Sequence, residues 1–193
     1  MTLVEMPDAA KQMTLNEFEA FLGLPENRDR LLELINGEIV EKMPTEEHGM
    51  IASNINIVLG LFVKQHKSGR VGIEVRHQVS EDSANSRLPD ISFIRARRPV
   101  VTRGSVPNLP DLAVEIKSPN DSIRQFRNKA EYYLENGVTL VWLVYPEQRM
   151  VEVYSLDGDV EILFEGDVVT GGDLLPEFVM PVTEIFDDPL AES

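Results

Sequence analysis

The sequence predicts a mixed α/β fold, with central strands held between helices on both sides, and three observations carry the prediction. Residues 110–119 (Pro-Asp-Leu-Ala-Val-Glu-Ile-Lys-Ser-Pro) alternate Leu112, Val114 and Ile116 with Ala113, Glu115 and Lys117, the period of two that marks a strand. Two segments, 46–67 and 122–137, carry apolar residues at helical spacing. An almost unbroken apolar run from Val138 to Tyr145 follows the second of them and fits a strand covered on both faces. A helix of about four turns between two strands makes them parallel by a right-handed crossover.

Taken in order, residues 1–12 show no periodicity and are expected to form a loose N-terminal arm. Thr14-Leu-Asn-Glu17 is a capping box that opens a short helix ending near Leu22, before Gly23 and Pro25. Leu31 to Met43 reads as a hairpin, because Asn36-Gly37 supplies the positive φ that a two-residue turn requires. Ile51, Ile55, Val58 and Phe62 mark one face of the helix over 46–67. Gly69 then leads into an alternating strand, Val71 to Val79, and residues 80–88 read as a polar loop. Pro89-Asp90 opens a strand over Ile91 to Ile94, and an irregular crossing over 99–110 joins it to the central strand.

Beyond the central strand, Ser122-Ile-Arg-Gln125 resembles a capping box; Ile123, Phe126, Ala130 and Tyr133 form a buried helix face, and Gly137 closes the helix. Met150 to Tyr154 and Val160 to Phe164 flank Asp157-Gly158 as a closing hairpin. Past Gly166 the chain reads as turns with a short packed segment at Leu174, Leu175 and Phe178, ending in an acidic tail over 187–193. Trp142 and Tyr145 are core residues on this reading. One domain over 1–193 is the expectation for this length.

Composition narrows the chemistry. With no cysteine there is no disulfide, no thiolate nucleophile and no cysteine-based zinc site. No apolar run approaches the roughly 20 residues of a membrane span, and the N-terminus lacks a basic-then-apolar leader, so a soluble cytoplasmic protein is expected. The net charge of −15 argues against a nucleic-acid partner, but its distribution does not. Lys64 to Lys129 holds thirteen Lys and Arg against seven Asp and Glu, a local +6; the other residues hold five against twenty-six, or −21. Arg95, Arg97 and Arg98 are the densest part of this basic middle, either a solvated edge or a set of phosphate contacts.

Three acids and two lysines form the best chemical constellation. Glu115 and Lys117 share a strand face at i and i+2, roughly 6.6 Å apart. Asp111 shares that face but lies about 13 Å away, too far to share a cation with Glu115. Asp90 starts a strand that can lie about 4.8 Å from the central one, the right scale for two carboxylates on one ion. Hard oxygen donors without cysteine point to Mg²⁺ or Mn²⁺. A lysine beside such a pair can orient a water or stabilise a developing oxyanion. The competing reading is a surface ion pair between Glu115 and Lys117. Two carboxylates this close also repel, so neutralising Asp90 is expected to be neutral or stabilising when no metal is bound. His48 and His77 lack ligand-spaced partners and read as a helix-start and a strand residue. Lys129 lies off the Ile123/Phe126/Ala130 face, and Gln125 shares its side of the helix.

Pro89-Asp90…Glu115-Ile-Lys117 resembles the motif of the PD-(D/E)XK, or restriction-endonuclease-like, nuclease superfamily. The wider layout resembles its Uma-two branch: Glu33-Leu-Ile-Asn-Gly-Glu-Ile-Val-Glu41, His48-Gly49, Leu88-Pro-Asp-Ile-Ser-Phe93, residues 110–121, Lys129-Ala-Glu-Tyr-Tyr-Leu-Glu-Asn-Gly-Val138 and Val141-Trp-Leu-Val-Tyr-Pro146, together spanning about residues 14–186. The resemblance implies a restriction-endonuclease-like mixed central sheet with flanking helices, and metal-dependent phosphodiester cleavage. It implies Asp90 and Glu115 as metal ligands, with Glu38 matching an N-terminal acid that often adds a further one. Members of this branch often lack a lysine at the position of Lys117 and carry one at that of Lys129; this chain has both, and catalysis is expected of Lys117 first. The resulting expectation is a Mg²⁺-dependent DNA endonuclease acting as a homodimer, since a two-fold pair cuts both strands most simply. The alternatives are a non-catalytic nucleic-acid-binding or assembly module on the same scaffold, or a hydrolase of a smaller phosphate ester.

Overall fold

The computed structural model describes residues 12–79, 81–95, 97–156, 158 and 160–191. The expected arm lies outside them except for Gln12, and so do Asp157 of the closing turn and the last two residues of the tail. Helix α1 (Leu15–Leu22) carries the predicted capping box, the Thr14 hydroxyl and the Glu17 carboxylate each accepting from the other's backbone N–H. Strands β1 (Leu32–Ile35) and β2 (Glu38–Glu41) form the predicted hairpin. Its turn residues Asn36 and Gly37 have φ of 52° and 81°, the left-handed pair that keeps the strands' twist. Helix α2 (Glu46–His66) starts at a Thr45 cap and ends at Lys67 in the left-handed region.

The expected strand over 71–79 is broken in two. Strand β3 (Arg70–Ile73) stops at Glu74, whose φ of 49° turns the chain out of the sheet, and β4 (His77–Gln78) joins a different one. The expected polar loop contains β5 (Ser86–Arg87), buried because Ser86 pairs with Leu34 and the Arg87 guanidinium lies 4.0 Å from the Tyr132 ring centroid. There follow β6 (Ile91–Ile94), β7 (Val106–Pro107), β8 (Leu112–Ile116), α3 (Ile123–Glu135), β9 (Leu140–Tyr145), β10 (Met150–Ser155) and β11 (Val160–Phe164). The region beyond Gly166 is a hairpin rather than turns: β12 (Val168–Gly171) pairs with β13 (Leu175–Pro181), bulged between Thr170 and Gly171, and α4 (Val182–Ile185) follows.

The six-stranded sheet has the order β11-β10-β9-β8-β6-β3, with β8 and β9 parallel as the crossover predicts and the other pairs antiparallel. A second sheet has the order β2-β1-β5-β4-β7. Side-chain alternation sorts the large sheet into two cores. Leu112, Val114, Ile116, Trp142 and Val144 pack with Ile51, Ile55 and Leu59 of α2 and with Phe178 of β13. Ala113, Val141, Leu143 and Tyr145 face Phe126, Ala130 and Tyr133 of α3. Each large apolar side chain buried in these layers stabilises by about 1.5–3 kcal/mol. Ile123, expected on this buried face, is half exposed, because α3 meets the sheet only from Phe126 onward. Gly69 lets β3 approach β6: a Cβ there would come within 2.3 Å of the Ile94 carbonyl oxygen. The architecture is therefore the expected mixed α/β one, and alternation puts Glu115, two residues from Ala113, on the α3 side of the sheet.

Candidate active site

Strands β6 and β8 are antiparallel neighbours with Ile91 opposite Val114, so Asp90 at the mouth of β6 stands beside Glu115 near the end of β8. Asp90 continues the ladder with its side chain, Oδ2 accepting from the Ile116 N–H at 2.7 Å. Its Oδ1 accepts from Lys42 Nζ at 2.7 Å and lies 3.3 Å from His48 Nε2. Glu115 is fully buried; Oε1 accepts from the Tyr133 hydroxyl at 2.8 Å, and Oε2 from Lys129 Nζ at 2.9 Å and Lys42 Nζ at 3.2 Å. Glu33, from β1, is buried too, its Oε1 accepting from the Leu88 N–H at 2.9 Å and its Oε2 facing Lys129 Nζ at 3.4 Å. Five elements thus meet at the junction of the two sheets. They border a cleft of about 160 Å³ that Met43, Pro44, Asn120 and Asp121 also line.

Charge explains why three carboxylates tolerate burial here. Burial alone would raise the Asp90 pKa, but the Lys42 ammonium, then His48 and Lys129, outweigh it and hold the carboxyl well below its ordinary range. Glu33 follows the same pattern: burial opposes its charge, and Lys129, Lys42 and the Leu88 N–H restore it. Burial would discharge Lys42 and Lys129, but the acids around them keep both protonated, with pKa values raised above the usual lysine range. Tyr133 is pushed well up, by burial and then by the Glu115 carboxylate, so it serves as a hydrogen-bond donor. Three negative and two positive groups remain. The simple repulsion expected between Asp90 and Glu115 is therefore relieved within the chain itself.

Several expected site residues fall elsewhere. Lys117 stands one residue past the end of β8, its N–H still donating to the Val144 carbonyl at 2.9 Å. Its ammonium donates to the Ser118 carbonyl at 3.2 Å, and it borders a second depression with Thr45, Glu47 and Pro146 that shares His48 with the cleft. Of Lys117 and Lys129, it is Lys129 that reaches the acids. Glu38 lies on the same hairpin face as Glu33, but it pairs with Ile35 at the turn, whereas Glu33 pairs with Val40. That offset moves Glu38 about 6.6 Å along the strand, to an exposed position. Gln125 is exposed, its Oε1 accepting from the Ser122 hydroxyl at 2.7 Å. His48 is a helix-start residue, as read, but its ring reaches Asp90. His77 is a buried strand residue, its Nδ1 3.0 Å from the Asn108 carbonyl, and burial lowers its pKa to about 4. Trp142 and Tyr145 are core, as expected.

Arg95, Arg97 and Arg98 line a groove with Lys67 and Arg70 at the far end of β6, five residues or about 17 Å from Asp90. The Arg95 N–H donates to Asp111 Oδ2 at 2.7 Å, which fixes the start of this segment. No Asp or Glu side chain lines this groove among the described residues.

Three contributors, Lys42, Glu33 and Tyr133, carried no site role from the sequence. Lys42 and Glu33 lie on one face of a hairpin whose two-residue turn sets the register, so Glu33-x₈-Lys42 across Asn36-Gly37 is the signal that identifies them. Tyr133 follows Lys129 by four residues, the spacing that brings both to Glu115 from one helix face.

The site's chemistry suits a hard cation in part. Among the described residues no three His, Asp or Glu side chains converge to hold a metal. Two carboxylate oxygens, Asp90 Oδ1 and Glu115 Oε2, do converge on one point, together with the Leu88 carbonyl at 2.6 Å; that point is Lys42 Nζ. One or two carboxylates, completed by waters and substrate phosphate, are the usual protein share of a Mg²⁺ site.

Known proteins resemble this arrangement throughout. A family model described as "Putative restriction endonuclease" (Uma2) matches residues 18–183. The chain resembles the crystal structure of a protein described as a "putative nuclease belonging to DUF820" from Anabaena variabilis, with 28% identity and a TM-score of 0.75, over 90% of this chain and 97% of that one. No curated protein matches. Among the described residues no helix is long and apolar enough to cross a membrane. With the family model spanning both sheets and every member of the Asp90–Glu115 cluster, the chain belongs to the Uma2 family of restriction-endonuclease-like proteins.

Proposed function

We propose that this protein is a metal-dependent DNA endonuclease whose working centre is Asp90, Glu115 and Lys129. The observation that carries the reading is the meeting of two buried carboxylates and a partly buried lysine, Lys129 Nζ lying 2.9 Å from Glu115, beside a cleft at a strand end that Asp90 and Lys129 line. Asp90 and Glu115 would hold Mg²⁺ or Mn²⁺, which would polarise a phosphate oxygen and acidify a bound water. Lys129 stays protonated among its acids, so its part is to place positive charge against the phosphate as charge develops, not to accept a proton. Glu33 holds Lys129 from the far side, and Tyr133 fixes the Glu115 carboxylate in rotation. Arg95, Arg97 and Arg98, about 17 Å from Asp90, would take backbone phosphates away from the scissile one. Two copies related by a two-fold axis would bring two such centres to a duplex.

One observation favours the non-catalytic module instead: the acids are already matched by two lysines, as in a structural ion network. Nicking of supercoiled plasmid in Mg²⁺ or Mn²⁺ separates the two. The nuclease reading expects cleavage by wild type, none in EDTA, and none by Glu115→Ala. A folded, DNA-binding wild type that cuts nothing with either ion leaves the binding module.

A further inference from the structure

We infer that Lys42 is the resident cation of the Asp90–Glu115 pair, and that a divalent ion enters this site by exchange with the Lys42 ammonium. The inference rests on the metal-dependent reading and specifies how the metal is admitted. A lysine ammonium has three donors, and Lys42 spends them on three oxygens: the Leu88 carbonyl at 2.6 Å, Asp90 Oδ1 at 2.7 Å and Glu115 Oε2 at 3.2 Å. A main-chain carbonyl and two carboxylates are the donor types a hard divalent cation takes. The ammonium therefore sits at the point where those donors meet.

Space and charge both oppose occupancy by the two cations together. An ion coordinated by the same three oxygens, at the roughly 2.0–2.1 Å that Mg²⁺ requires, takes the place the ammonium now holds. The cluster without Lys42 holds Glu33, Asp90 and Glu115 against Lys129, a net −2, which one divalent ion neutralises. With both Lys42 and the ion present it would carry +1 in a buried site.

The chain around Lys42 permits the exchange. Lys42 is the first residue after β2, and Met43, Pro44 and Thr45 join it to α2 without regular structure. Met43 is exposed, and Lys42 itself borders the open cleft, so the flexible stem can turn its ammonium outward without unpairing the hairpin. Turned into the cleft, the same charge is available to a substrate phosphate. The acid pair is thus held in place and compensated while the protein is metal-free, at the expense of metal affinity: a site open a tenth of the time binds about tenfold more weakly.

The test is Mn²⁺ binding by Lys42→Met and wild type, followed by the electron paramagnetic resonance of free Mn²⁺, with melting temperatures in EDTA and in Mn²⁺. Exchange predicts that Lys42→Met melts below wild type in EDTA, gains more from Mn²⁺ than wild type does, and binds the ion at least about tenfold more tightly. Equal or weaker Mn²⁺ affinity in the variant overturns the inference, and so does failure of both proteins to bind the ion. Should Lys42→Met not fold, wild-type crystals soaked in Mn²⁺ decide: the anomalous peak must lie on Asp90 and Glu115 with the Lys42 ammonium moved off them. A peak there with Lys42 in place overturns exchange. The nuclease reading is separable, because plasmid nicking by wild type can succeed with Mn²⁺ affinity unchanged by Lys42→Met, or fail with that affinity raised.

Discussion

Asp90→Asn in metal-free protein is the sharpest test of how the acid cluster is held. Sequence reasoning expects the change to be neutral or stabilising, since two carboxylates side by side repel. The structure predicts the reverse. The substituted amide can keep one acceptor for the Ile116 N–H, which Asp90 Oδ2 now receives at 2.7 Å. What the variant loses is the charged contact to Lys42 at 2.7 Å and the approach of His48 at 3.3 Å. It also turns an amide donor toward an ammonium that has only Glu115 and the Leu88 carbonyl left. Removing one partner of a buried ion pair costs about 3–5 kcal/mol, and the retained Ile116 bond places this case near about 3. For a chain of this size that is a fall in melting temperature of about 6–12 °C. Urea unfolding and calorimetry in EDTA at pH 7 measure both.

The pH dependence has a definite sign. Asp90 has a folded-state pKa below its ordinary value of 3.8, so its stabilisation is present above that value and is lost as pH falls through the folded one. The gap between wild type and Asp90→Asn is therefore present at pH 7 and narrows below about pH 4. A variant as stable as wild type in EDTA, or a gap that widens in acid, refutes the compensation by Lys42.

Lys117→Met should change single-turnover cleavage less than about threefold, because its ammonium donates to the Ser118 carbonyl and, among the described residues, to neither acid; a loss of about 10² or more returns it to the centre. Glu33→Ala is expected to destabilise the fold by about 3–5 kcal/mol in urea unfolding, whereas Glu38→Ala stays within about 0.5 kcal/mol. Equal effects of the two would undo the assignment of Glu33 to the cluster. Replacing Arg95, Arg97 and Arg98 together by alanine should flatten the slope of log binding constant against log salt by up to about three, and an unchanged slope makes the groove plain surface.

Much of this could be read in the chain because each feature had a local cause. The Asn36-Gly37 turn, the capping box at Thr14, the Ser122 cap and the alternation over 112–116 all acted where they stand in sequence. The adjacency of Asp90 and Glu115 is legible because a strand pairing needs only that two strands be neighbours. The misses came from features with no local signature. Glu74 adopts a left-handed φ although glutamate does not favour it, so the strand over 71–79 gave no sign of changing sheets. The β12–β13 hairpin hides its alternation behind a bulge and Pro176. Lys117 and Glu38 are expected at the centre from the resemblance; in the structure the Lys117 ammonium donates to the Ser118 carbonyl and Glu38 stands exposed beside the hairpin turn. Lys42 shares the hairpin face of Glu33 through the Asn36-Gly37 register, but only the packing of the two sheets brings that face to Asp90 and Glu115.

The central claim is that Lys129, held against Glu115, works on the phosphate. Single-turnover cleavage of duplex DNA by Lys129→Met and wild type tests it most directly, with binding to the same DNA measured in Ca²⁺ as the check on folding. The expected result is a rate lower by about 10²–10⁴ with DNA binding retained. A Lys129→Met protein that binds DNA and cuts it at the wild-type rate contradicts the claim.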